Sequence, residues 1–191
     1  MKGVALITGS SRGIGKAIAL RLAREGYRIA VNYASRRDAA LAVVEEIEQA
    51  GGRAAAFAAD VSSLADVEAM AIGIAGEFGN LPVDVLVNNA GILRRGDLGE
   101  FDLKEMDLMR RTNVDGLIHT TTVFSDAMRA RRYGRIVNIA SIAAIGTAMP
   151  GTTFYAATKS AVITLTRRFA LTLSHTVTPE PSPTIRSCLK S

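Results

Sequence analysis

Short apolar runs recur along the chain, each ended by a small or polar break, and longer stretches with helical periodicity lie between them. The apolar runs at 4–8, 28–32, 54–58, 83–87 and 135–140 have the length of buried strands. The intervening pattern predicts helices at 15–25, 37–50, 63–78, a long one at 103–132, and another at 153–173. Strand and helix alternate, so the pattern predicts an α/β fold: a doubly wound parallel sheet with right-handed crossovers and helices on both faces. In such a sheet the ligand crevice lies outside the carboxyl ends of the strands. There is no internal repeat.

A chain of 191 residues fits one domain, and 48% apolar residues suffice to fill its core. Aromatic residues make up only 5% and tryptophan is absent, which suits aliphatic parallel strands covered by helices. The pattern stops after residue 173. Residues 174–191 carry three of the five prolines, Pro179, Pro181 and Pro183, spaced so that neither a helix nor a central strand can form. The expectation is one domain over 1–173 and a proline-rich, disordered tail over 174–191.

The net charge of +5 changes the picture little. The arginines are scattered through helices without interleaved aromatics, which argues against nucleic acid and for anionic cofactors or acidic partners. A single cysteine, Cys188, excludes an internal disulfide, and Lys2 leads straight into 4–7 with no cleavable leader. No apolar stretch is long enough to span a bilayer, so the expected location is the cytoplasm. His119 and His175 stand apart from any cysteine or carboxylate cluster, and no metal site is expected.

Two motifs carry candidate chemistry. Gly9, Gly13 and Gly15, in Thr8-Gly9-Ser10-Ser11-Arg12-Gly13-Ile14-Gly15, fall where a strand turns into a helix. Glycines there let phosphates approach backbone N–H groups at the positive end of a helix dipole. The spacing is G-x-x-x-G-x-G and lacks the Gly-Lys-Ser/Thr of a P-loop. A tight turn would also explain the glycines alone; the strand before and the helix after favour a nucleotide. Far downstream, Tyr155 and Lys159 are four apart on a predicted helix, so an ammonium can stand beside a phenol and favour its ionised form. Taken alone, the pair reads first as a surface helical pair; the glycine turn changes that reading.

Together these motifs resemble the short-chain dehydrogenase/reductase family, whose glycine turn and Tyr-x-x-x-Lys have these spacings. The resemblance implies a Rossmann-like sheet of about five strands in the order 3-2-1-4-5. It also implies a cofactor site built from Gly9, Ser11, Arg12, Gly13, Ile14, Gly15, Asn32, Arg36, Asp60, Val61, Asn89, Ala90, Gly91, Tyr155 and Lys159. Within that set Asp60 would accept a hydrogen bond from the adenine amino group, although it also reads as a helix N-cap region. Asn88-Asn89-Ala90-Gly91 matches the family's N-N-A-G. Asn113, Ser141, Tyr155 and Lys159 match the family's catalytic tetrad: Asn113 helps hold a water near the lysine, Ser141 binds the substrate oxygen, and Tyr155 moves the proton.

The reaction implied is hydride transfer between a nicotinamide cofactor and a carbonyl or alcohol carbon. A carboxylate at the end of the second strand would bond the free ribose hydroxyl of NAD, but this chain has Asn32-Tyr33-Ala34-Ser35-Arg36-Arg37 there. With Arg12 in the glycine turn and Arg36 or Arg37 nearby, NADP is the expected cofactor and NAD the less favoured one, although Arg36 and Arg37 also read as a solvated helix start. The resemblance is strongest to the 3-oxoacyl-acyl-carrier-protein reductase-like branch of fatty acid metabolism. It implies a small carbonyl substrate or acyl carrier protein as partner, with Arg129, Arg131, Arg132 and Arg135 as an attractive patch, and a homo-oligomer formed through the long helix and the Tyr155 helix. The resemblance ends near residue 173, short of the family's last strands. That predicts an unpaired outer edge on the fifth strand, and it leaves open a catalytically impaired nucleotide-binding or dimerising module.

Overall fold

A computed structural model describes residues 2–146 and 149–174. Five parallel strands, β1 (Val4–Ile7), β2 (Arg28–Tyr33), β3 (Arg53–Ala58), β4 (Val83–Asn88) and β5 (Arg135–Asn138), form one sheet in the order β3-β2-β1-β4-β5. This is the expected doubly wound order. The strand ends differ from the sequence expectation by at most two residues.

Alternation along each strand divides the core into two layers. Val4, Leu6 and Leu86 point to the face covered by α3 (Leu64–Glu77) and α5 (Gly116–Arg131), where they meet Val67, Ile74 and Phe124. Ala5, Ile7, Val85 and Val87 point the other way, onto Ala19, Val43 and Ile47 of α1 (Gly13–Arg24) and α2 (Arg37–Gln49). Leu6, Ile7 and Leu86 are fully buried, and each such side chain contributes about 1.5–3 kcal/mol of burial.

The long helix is not continuous. It comprises α4 (Leu103–Arg110), a π-helical turn over Arg111–Asp115, and α5. A π turn widens the backbone by a residue and re-aims the side chains it carries. Here it holds Asn113, which is 2% exposed, so the interruption falls on a candidate site residue. A 3-10 turn over Ile142–Ile145, absent from the sequence expectation, leads toward α6 (Thr153–Ser174). Ser174 still belongs to α6; the remainder of the expected tail, and His175 and Cys188 within it, lies outside the described residues.

Among the described residues β5 pairs only with β4. Its outer edge is open, and Val137 is 46% exposed where the equivalent residues of inner strands are buried. No described helix is long and apolar enough to cross a membrane.

Candidate functional site

The carboxyl ends of β1 and β4 are laced together by side chains. Thr8 Oγ1 accepts hydrogen bonds from the backbone N–H groups of Asn89 and Ala90, at 3.0 and 2.9 Å. Asn89 Nδ2 returns two bonds, to Thr8 O at 2.8 Å and Gly9 O at 3.1 Å. From the other side Asn32 Oδ1 accepts from Gly9 N at 3.0 Å, while its Nδ2 donates to Ala59 O at 3.1 Å. Asn32 is 1% exposed, so its amide holds the glycine turn and the end of β3 in one frame.

The glycines are required where the turn is tight. Gly9 has φ +61°, and a Cβ there would lie 3.0 Å from Ala90 Cα. A Cβ on Gly15 would lie 2.7 Å from Gly9 O and 2.8 Å from Ser10 Cα, backbone atoms that cannot move aside cheaply. Gly13, Ile14 and Gly15 form the first turn of α1, and Arg12 at its N-cap makes no side-chain cap. The N–H groups that open α1 are thereby left for an anion, at the positive end of the helix dipole.

Beside this turn runs a cleft of about 240 Å³. Gly9, Ser11 and Arg12 line it from the β1 side, Asn32 and Arg36 from β2, Asp60 and Val61 from β3, and Asn89, Ala90 and Gly91 from β4. Arg12 and Arg36 are exposed and form no ion pair among the described residues. Asp60 is exposed, and its Oδ1 accepts from Ser62 N at 2.9 Å, a local turn ahead of α3. Val61 packs onto Gly116, whose missing Cβ makes the room.

At Gly91 the cleft meets the second group of residues. A Cβ on Gly91 would stand 3.2 Å from Asn113 Oδ1 and 3.4 Å from Lys159 Nζ. Asn113 is bonded on three sides: its Oδ1 accepts from Ile92 N at 2.8 Å, and its Nδ2 donates to Ile92 O at 2.9 Å and Thr158 Oγ1 at 3.0 Å. Lys159 is 5% exposed and donates to Ile139 O at 2.8 Å. Burial lowers its pKa from the ordinary lysine value, because the charged form loses water. Its Nζ is 5.9 Å from the centroid of the Tyr155 ring. A water-sized cavity is bounded by Thr8, Asn88, Asn113, Ile139 and Lys159.

Ser141 follows the end of β5 and accepts from Ala143 N at 3.2 Å, capping the 3-10 turn. Ser160 Oγ of α6 donates to Ala144 O at 2.8 Å and docks that turn against the Tyr155 helix. Sequence reasoning did not single out Thr8, Thr158 or the Ile139 carbonyl; His119, which it set aside as isolated, has its Nδ1 3.0 Å from Val61 O. Threonine before the glycine turn was a visible signal for Thr8; a backbone acceptor leaves none. Among the described residues no group of three or more His, Cys, Asp or Glu is placed to hold a metal ion.

The comparisons with known proteins agree with the fold. A family model described as short chain dehydrogenase matches residues 3–178. The 3-oxoacyl-(acyl-carrier-protein) reductase FabG of Staphylococcus aureus is 44% identical over 171 residues, covering 89% of this chain and 68% of that protein. A 3-oxoacyl-(acyl-carrier-protein) reductase of Synechocystis is 41% identical over 171 residues, covering 90% and 68%. Among solved structures, a short chain dehydrogenase from Burkholderia cenocepacia in complex with NADP superposes with a TM-score of 0.80 at 38% identity, over 91% of this chain and 69% of that one. A short-chain dehydrogenase/reductase from Serratia marcescens superposes with a TM-score of 0.82 at 35% identity and the same coverage.

Proposed function

Because the chain belongs to the short-chain dehydrogenase/reductase family, we propose that it is an NADP-dependent oxidoreductase in which Tyr155 gives or takes the proton on a carbonyl or alcohol oxygen. The observation that carries this reading is the junction at Gly91, where the cleft beside the glycine turn runs into Asn113 and Lys159 without a side chain between them.

The residues present fit a dinucleotide. The uncapped start of α1 suits a pyrophosphate, and the absence of Cβ atoms at Gly9 and Gly15 allows the turn to close. Arg12 and Arg36, free of ion pairs among the described residues, suit a ribose phosphate; the carboxylate that would repel it is missing after Asn32. When bound, the nicotinamide supplies or accepts the hydride. Lys159 stabilises negative charge developing on the Tyr155 oxygen and is aimed by the Ile139 carbonyl. Asn113, held in place by Ile92 N, borders the same water-sized cavity as Lys159, room for a water beside the ammonium. Ser141, on the turn docked to α6, orients the substrate oxygen.

For the substrate we favour a 3-oxoacyl thioester on an acyl carrier protein, the class named in the curated relatives. Ile142 and Ile145, 66% and 76% exposed on the turn that Ser141 caps, suit an acyl chain. The arginines contribute unequally. Arg131 is held by Asp84 at 2.9 Å, and Arg129, Arg132 and Arg135 border a groove at the amino end of β5, roughly 20 Å from Ser141 at a strand's rise per residue. The same exposed isoleucines favour a second reading, a dinucleotide-binding module without turnover, since among the described residues they leave the substrate side open to water.

Titration of the purified protein with NADPH and with NADH, followed by cofactor fluorescence, tests the site. Saturable binding, tighter for NADPH, is expected; absence of saturable binding to either contradicts the reading.

A further inference from the structure

The segment after Gly91 is neither helix nor strand until α4, yet it is tied down at both ends. At its start Ile92 exchanges two backbone bonds with the Asn113 amide. At its far end Asp97 Oδ1 accepts from Gly151 N at 2.8 Å and from Thr153 Oγ1 at 3.3 Å. Gly96 N adds a bond to Gly151 O at 3.1 Å, and the Phe101 ring stacks on Phe154 with centroids 3.6 Å apart. The partners of this far end, Gly151, Thr153 and Phe154, lead directly into Tyr155.

Gly151 sits at φ +74°, a conformation that glycine leaves easily when nothing holds it. Asp97 supplies the hold, and its carboxylate at the start of α6 also meets the positive end of that helix. We infer that Asp97 is a positioning residue for the proposed reaction. By clamping Gly151 and Thr153 it fixes the first turn of α6 and with it the placement of Tyr155 relative to Lys159, while Asn113 holds the other end of the same strap. The inference rests on the reading of Tyr155 as the proton-transfer group.

Asp97→Ala and Asp97→Asn, compared with the unmodified chain, test it by hydrogen exchange and steady-state turnover. Asp97→Ala is expected to speed amide exchange across 149–158 and to lower kcat by about ten-fold, the loss of a bond to a charged acceptor, with KM and NADPH affinity within about two-fold. Asp97→Asn keeps the accepting oxygen and restores both. Unchanged exchange in Asp97→Ala, faster exchange without a fall in kcat, or failure of Asp97→Asn to restore protection overturns the inference. If the unmodified chain turns over nothing, the proposed reaction falls instead, and the exchange data alone decide whether Asp97 orders the Tyr155 turn.

Discussion

Lys159 Nζ stands 5.9 Å from the centre of the Tyr155 ring while it donates a hydrogen bond to the Ile139 carbonyl at 2.8 Å. The ammonium is therefore oriented by the backbone just past β5 rather than by a hydrogen bond to the phenol. Burial works against its charge and lowers its pKa. Unfolded, the same lysine binds its proton up to the ordinary value near 10.5. Between the lowered folded value and that ordinary value the unfolded state binds more protons, so the contribution of Lys159 to stability rises with pH across that window and is lost as pH falls through the folded pKa. Lys159→Met removes the titration. The Tm of the unmodified chain relative to Lys159→Met is therefore expected to climb as pH is raised toward 10.5; a constant difference would contradict a desolvated ammonium.

Arg36→Asp places at the end of β2 the carboxylate that the chain lacks. Loss of one charge-assisted contact amounts to about 1.5–3 kcal/mol, ten-fold or more in Kd. NADPH affinity is expected to fall by at least that factor while NADH affinity holds or improves, as read by parallel titrations. Equal losses for both cofactors would remove Arg36 from the phosphate site.

Gly15→Ala drives a Cβ against Gly9 O and Ser10 Cα. Overpacking of this kind costs about 1–3 kcal/mol, and here it pushes directly on the anion-facing turn. Thermal denaturation is expected to show a lowered Tm together with loss of NADPH binding. Gly76→Ala, in α3 where a Cβ meets nothing within 4 Å, serves as the control: helix propensity is expected to hold or raise Tm, and NADPH binding to stay unchanged.

Much of this was legible in the sequence because it depends on period and on local turn chemistry. Aliphatic runs such as 4–7 and 83–88 announce strands wherever they are buried on both faces, and the Gly9-to-Gly15 spacing announces the turn into α1. What stayed hidden depends on contacts far apart in the chain. The 3.6-residue pattern runs from 103 to 132, so the π turn that carries Asn113 leaves no mark in it; the turn coincides with the pairing of Asn113 with Ile92, 21 residues earlier. Asn32 reads as a cofactor contact from its place at a strand end, yet its buried amide is committed to Gly9 and Ala59. Asp97 looks like any loop acid until Gly151, 54 residues later, is brought beside it.

The central claim, that Tyr155 transfers a proton beside a bound NADP(H), is tested most directly by NADPH oxidation in the presence of a 3-oxoacyl thioester or an activated ketone, comparing the unmodified chain with Tyr155→Phe. The account predicts measurable turnover by the unmodified chain and a loss of about 10²–10⁴-fold in kcat for Tyr155→Phe, the usual reach of general acid catalysis, with NADPH binding retained. NADPH binding without turnover by the unmodified chain, or turnover that survives Tyr155→Phe intact, would contradict it.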